Sequence, residues 1–176
     1  FTFLQEIKCS DEAMVATAHK KIDISSDEEK AVKSTVMKMT QQFLSAKEAG
    51  EYKKAYDMLG SGMKNITNFS TWRTKESDYF SKNLGKRVNR NIWRVTLYNN
   101  PPNSPKPGLY IAADYENSYE ESPIHCGYVM WYLPTENSEE LVVIREEYGG
   151  ITKDILKNIS KENLNDVRKQ IGCRAF

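Results

Sequence analysis

Few residues in this chain combine the type and spacing that chemistry requires. Asp114, Glu116, Glu120 and Glu121 lie close enough to supply a general acid and a general base. A carboxylate tuned for proton transfer needs burial to move its pKa, whereas these four fall on the polar side of an alternating stretch and the turn after it. They read as the solvated face of a hairpin. Lys86, Arg87, Arg90 and Arg94 are the one concentration of positive charge. A phosphate- or RNA-binding patch adds an overall basic balance, and 25 basic against 24 acidic residues leave a formal charge of +1. No nucleic-acid partner is expected; the four read as solvated strand positions or as partners of nearby acids. Trp93, Tyr110, Tyr115, Tyr128, Trp131 and Tyr132 form an aromatic-rich group. Such side chains pair an apolar body with a polar tip, so they are either core or the lining of a ligand or partner surface. The chain has no Gly-x-Ser-x-Gly, no phosphate loop and no zinc or iron–sulfur spacing, so neither cofactor nor metal is expected.

The elements that must position these residues follow from composition and periodicity. The chain has 176 residues, 39% hydrophobic and 28% charged, with a mean hydropathy of −0.65. That suits one domain burying roughly 70% of its unfolded surface. The apolar runs 124–133 and 141–144 fall short of the ~20 residues of a transmembrane helix. After an N-terminal extension (1–25), in which Ser10-Asp11-Glu12 can cap a short helix, Ser26-Asp27-Glu28-Glu29 forms a capping box. Val32, Val36, Met39, Phe43 and Ala46 then mark a helix over about 27–49, stopped by Gly50. A second helix follows over 51–59, and Ser70 caps a third with Trp72, Tyr79, Phe80 and Leu84, ended by Gly85.

Beyond Gly85 the period becomes two. Ile92 is out of parity with Val95 and Leu97, so the first strand needs a β-bulge near Ile92. A proline-rich loop (99–108), an alternating strand from Leu109, a doubly apolar strand (124–133) and a fourth strand (141–147) complete a sheet that Gly149-Gly150 ends. A tight turn at 120–123 sets a register pairing Tyr119 with Ile124, Asn117 with Cys126, Tyr115 with Tyr128, Ala113 with Met130 and Ile111 with Tyr132. In that register Cys126 is buried without a base to activate it. Thr152 opens a C-terminal helical segment closed by Gly172. The expected fold is α+β: N-terminal helices on a bent four-stranded antiparallel sheet over 26–150, and a C-terminal helix over 151–176.

The chain begins at Phe1 without a charged n-region and apolar h-region, and reads as a mature or trimmed product. Cys9 and Cys173 lie near the two termini. Either they form a bridge, which needs an oxidising compartment, or all three cysteines are free.

Trp72, Gly85-Lys86-Arg87, Pro107-Gly108-Leu109-Tyr110 and Tyr115 followed by Glu120 or Glu121 give 56–150 a resemblance to the Domain of Unknown Function four-zero-one-nine family. The resemblance implies a cystatin-like or nuclear-transport-factor-two-like cone and an exported, periplasmic or secreted setting. It implies no reaction, because one fold hosts many functions. Some cone-fold relatives are isomerases or dehydratases that use an aspartate or a histidine–aspartate pair, for which this chain offers Asp114 and His125. The register above sets them apart along the hairpin, His125 opposite Ser118 and Asp114 opposite Val129. The function expected is therefore an exported, non-catalytic domain that binds a protein partner or associates with itself through its sheet. The alternative is a binder of a small apolar ligand, isomerase- or dehydratase-like, with Asp114 and His125 in its pocket.

Overall fold

The structure, a computed structural model, describes residues 20–134 and 140–174, and Ser81 by its backbone alone. Helix α1 (Ser26–Glu48) begins at the residue expected to cap it, one residue earlier than the expected helix. Ser25 is the N-cap: its hydroxyl accepts from the Glu28 N–H at 3.2 Å while the Glu28 carboxylate accepts from the Ser25 N–H at 2.8 Å. The reciprocal box needs a three-residue offset with both bonds made, and Ser25 to Glu28 supplies it. Val36, Thr40, Phe43 and Leu44 are buried, and the chain leaves the helix through Gly50 at φ +75°. Helices α2 (Tyr52–Asp57), α3 (Ser61–Ile66) and α4 (Phe69–Tyr79) follow, α3 being an addition to the expected set. Asn68, not Ser70, caps α4 by accepting from the Thr71 N–H at 3.0 Å. A π-helical turn (Phe80–Leu84) and Gly85, at φ +70°, lead into the sheet.

Strands β1 (Arg87–Asn99), β2 (Gly108–Tyr119), β3 (Ile124–Pro134) and β4 (Val142–Ile151) lie antiparallel in sequence order. The bulge expected near Ile92 is present as a register shift between Ile92 and Arg94. The extra residue keeps Ile92, Val95 and Leu97 beside Tyr115, Ala113 and Ile111 on the face that packs on α1, and sends Arg94 to the other.

The β2–β3 register differs from expectation by one residue. Tyr115 pairs with Gly127, Ala113 with Val129, Ile111 with Trp131, and Asn117 with His125. Buried residues thereby oppose one another, whereas the expected register set Tyr115 and Ala113 against the half-buried Tyr128 and Met130. On its other edge β3 meets β4 at Gly127. A Cβ there would run into the Glu147 carbonyl oxygen and lie 2.9 Å from the Tyr148 Cα, so only glycine lets β4 close on β3. Gly127→Ala should cost about 1–3 kcal/mol, as overpacking against backbone does, read as a lower urea midpoint.

Gly149 and Gly150, expected to end the sheet, are paired inside β4 with Cys126 and His125. Gly149 makes room for Ile171, which would stand 3.2 Å from an added Cβ. The C-terminal segment is two helices, not one: Thr152 caps α5 (Lys153–Lys157) and Ser160 caps α6 (Lys161–Gln170). Leu164, Val167 and Ile171 cover Ile124, Cys126 and Ile151 on the sheet's outer face, so the doubly apolar β3 is covered in part by its own chain.

That placement corrects the cysteine pairing. Cys173 is bonded to Cys126, with Cα atoms 5.0 Å apart, and not to Cys9. Once α6 lies on the outer face of β3, the two Cα atoms fall within the ~4.4–6.8 Å that a disulfide spans. Cys9, and the short helix expected after Ser10, lie outside the described residues.

Candidate functional site

The inner face of the sheet holds charge where the sequence reading placed only core. Val36, Thr40, Phe43 and Lys47 fall at four- and three-residue steps on α1, so the stripe that buries Phe43 also buries Lys47. Trp72 and Glu76 are four apart on α4, and Glu146 and Tyr148 share the inward parity of β4. The three elements converge. Lys47, fully buried, sets its Nζ 2.7 Å from Glu76 Oε2 and 2.7 Å from each Glu146 oxygen. Phe43, Phe80 and Tyr148 present rings 5.0–5.2 Å from the same nitrogen. Burial pushes the ammonium pKa down, but the fields of Glu146 and Glu76 outweigh it, and Lys47 stays charged above its ordinary range. For Glu146 burial dominates, with Glu76 adding to it against Lys47, and its pKa is raised.

A second network adjoins the first. Arg90 pairs with Glu48 and donates to Asn117 Oδ1 at 3.2 Å and to Ser45 Oγ at 2.9 Å; the Tyr119 hydroxyl donates to Glu48 at 2.7 Å. The basic series is thus divided by the bulge. Arg87 and Arg90 engage Glu48 from α1, and Arg94 on the outer face pairs with Asp114 at 2.9 Å.

His125 and Asp114 are not brought together. His125 is buried on the inner face and faces Asn117, not Ser118; Asp114 is on the outer face and faces Tyr128, not Val129. His125 Nε2 shares a 3.0 Å hydrogen bond with the Tyr79 hydroxyl, and its ring lies among those of Tyr115, Tyr119 and Tyr148. Burial, with the positive field of Lys47 adding to it, lowers the imidazole to a pKa of about 4. The same burial raises Tyr79 to about 12. At neutral pH this face thus holds an uncharged imidazole, a charged ammonium and protonated phenols beside the buried carboxylates.

The histidine has a measurable consequence. Its folded pKa lies below the ordinary 6.5, so between pH 6.5 and about 4 the unfolded chain takes up a proton that the folded chain refuses. Stability carried by the neutral ring is complete above 6.5 and is lost as pH falls toward 4, by roughly 3 kcal/mol at ~1.4 kcal/mol per unit. The raised Glu146 acts in the opposite sense, stabilising below 4.5 and losing that contribution as pH rises. His125→Gln should therefore flatten the loss of stability between pH 6.5 and 4, measured as urea midpoints across that range.

The six aromatics do not form one surface. Tyr115 and Trp131 are fully buried on the inner face, where Trp131 Nε1 donates to Thr40 Oγ1 at 2.8 Å. Tyr110 and Tyr132 lie against each other, 5.0 Å between centroids, on the outer face. Trp93 and Tyr128 line a separate outer groove of about 900 Å³, open between the sheet and the α6 end, whose far wall runs from Lys169 to Arg174. Arg94 lies over the Trp93 ring at 4.5 Å, and Arg168 ties α6 to the sheet through Glu116 at 2.7 Å. Sequence reasoning missed Lys47, Glu76 and Glu146; the signal available was charge at apolar-stripe positions in three elements. Among the described residues no group of three or more His, Cys, Asp and Glu is placed to hold a metal ion, and no helix is long and apolar enough to cross a membrane.

The molecule is thus an α+β domain with a sealed ionic cluster between helices and sheet and an open groove on the sheet's other side. The family model described as Protein of unknown function (DUF4019) matches residues 39–142, more than half the chain, and the chain belongs to that family. Lys47, Glu76 and His125 fall inside the matched stretch; Glu146, α6 and Cys173 follow it. No curated protein and no solved structure gives a match.

Proposed function

We propose that this chain is an exported, non-catalytic binding domain, of the cystatin-like or nuclear-transport-factor-two-like kind, which recognises a protein partner through the outer face of its sheet. The observation that carries the reading is the division of labour between the two faces. Among the described residues the charged and imidazole groups of the inner face are engaged with one another: Lys47 with Glu76 and Glu146, His125 Nε2 with Tyr79, Arg90 with Glu48. The outer groove is open, and Trp93, Tyr128, Arg94 and Arg174 in its lining are of the residue types that interfaces favour. The Cys126–Cys173 bond supports a periplasmic or secreted setting, since such bonds persist in oxidising compartments.

The test is site-specific photo-cross-linking in the native host, with benzoylphenylalanine in place of Tyr128 or, as control, of Met37, which is exposed on α1. A discrete adduct from position 128, absent from position 37, is expected; mass spectrometry then tells a partner from a second copy of the chain. No adduct from 128, or equal adducts from both, would overturn the reading.

A second reading has one observation in its favour. His125 Nδ1 and the Tyr115 hydroxyl are buried without a hydrogen-bond partner, a condition that a small molecule held between helices and sheet would relieve. That reading keeps an isomerase- or dehydratase-like role open. Native mass spectrometry of the purified protein would then find mass in excess of the sequence, and a bare chain mass would remove it.

A further inference from the structure

The groove beside α6 has chemistry that narrows what it takes, given the reading of the outer face as the recognition surface. We propose that it binds a short, extended, acidic segment of a partner protein, one of whose aromatic side chains lies against Trp93 and Tyr128.

Dimensions favour an extended chain. The groove crosses all four strands, taking Arg94 from β1, Asp114 from β2, Tyr128 from β3 and Glu147 from β4. Three interstrand spacings of ~4.8 Å make about 14 Å, the length of four or five extended residues at ~3.3 Å each. A volume of about 900 Å³ admits their side chains.

Charge favours an acidic one. The groove's own acids are committed: Asp114 accepts from Arg94 at 2.9 Å, and Glu147 is paired with Arg145. The cations of the α6 wall are not. Lys169 has Asp166 at 3.8 Å, both well exposed, and Arg174 has no carboxylate partner among the described residues. An incoming carboxylate therefore meets cations whose neutralisation breaks no existing close pair.

The groove also has a built-in dependence on redox state. Its wall, Lys169 to Arg174, contains Cys173, and the bond to Cys126 holds that wall against β3. A dithiol reductant that takes the two sulfurs to thiols, itself oxidised to a disulfide, would free the wall and dismantle the site.

The experiment is selection of a displayed random hexapeptide library on the full chain, followed by fluorescence polarisation with the fluorescein-labelled peptide most enriched. Peptides with Asp or Glu flanking an aromatic residue are expected. Affinity should fall at least tenfold in the Lys169→Glu, Arg174→Glu double variant, at 0.5 M salt, and after reduction. The Lys169→Gln, Arg174→Gln double variant, which removes charge without reversing it, should show an intermediate loss. Enrichment of basic or neutral peptides, no enrichment, or acidic peptides indifferent to these changes would overturn the proposal. A cross-link from position 128 that persists beside a failed selection overturns the acidic partner alone and leaves the binding-domain reading standing.

Discussion

Lys47→Met should destabilise the domain by about 3–5 kcal/mol, the cost of leaving buried charge uncompensated. Glu76 and Glu146 would then face each other across an apolar side chain with only rings around them. For a chain of this length the loss corresponds to a fall in Tm of roughly 10 °C. The triple variant Lys47→Met, Glu76→Met, Glu146→Met separates two causes. If the cluster serves mainly to hold α1 and α4 on β4, apolar side chains of similar volume should restore most of the lost stability, because the desolvation of three ionic groups is removed with them. Thermal and urea unfolding of wild type, single and triple variants check this. A triple variant as weak as the single would mean that the ionic geometry itself, not volume, fixes the packing.

The second large effect is expected from Cys173→Ser. The Cys126–Cys173 bond joins residues 47 apart, and loop-closure entropy puts its contribution at about 4 kcal/mol. The loss should be felt unevenly. Inner-face packing of Trp131 on Thr40 and Phe43 does not pass through the bond, whereas α6 is held to the outer face by Cys173, by Arg168 on Glu116, and by Leu164, Val167 and Ile171. Amide exchange should accelerate first along Lys161–Gln170, and an apolar dye should find Ile124 and Ile151 uncovered. Equal acceleration throughout the sheet would show instead that α6 and the sheet unfold as one unit.

The secondary structure was legible where pattern and local chemistry coincide. The α1 stripe and the parity break at Ile92 each report a local geometric demand, and each is met, whereas the alternation of β2 holds only beyond Ala113, because Tyr110 and Ala112 are buried as well. The β2–β3 register was not. Both parities of β3 are apolar, so a slip of one residue exposes no charge, and which parity packs on α1 is decided by tertiary packing, which buries Val129 and Trp131 there. The disulfide was unreadable for a related reason: nearness of Cys173 to Cys126 depends on where α6 lands, not on sequence separation. The inner cluster lay in between. Lys47 on the stripe of Val36, Thr40 and Phe43 was a visible anomaly, but its meaning depended on two acids from elements far along the chain. Asp114 and His125 failed as a pair because the pleat separates them, one to each face.

In the proposed function the ionic interior is scaffold and the outer face recognises the partner. Its most direct test places the photo-cross-linker at position 128 in the Lys47, Glu76, Glu146 triple-methionine variant. The same adduct in the same yield as in the wild-type background is predicted, once circular dichroism shows the fold retained. A folded triple variant that loses the adduct would contradict the claim and move recognition into the interior.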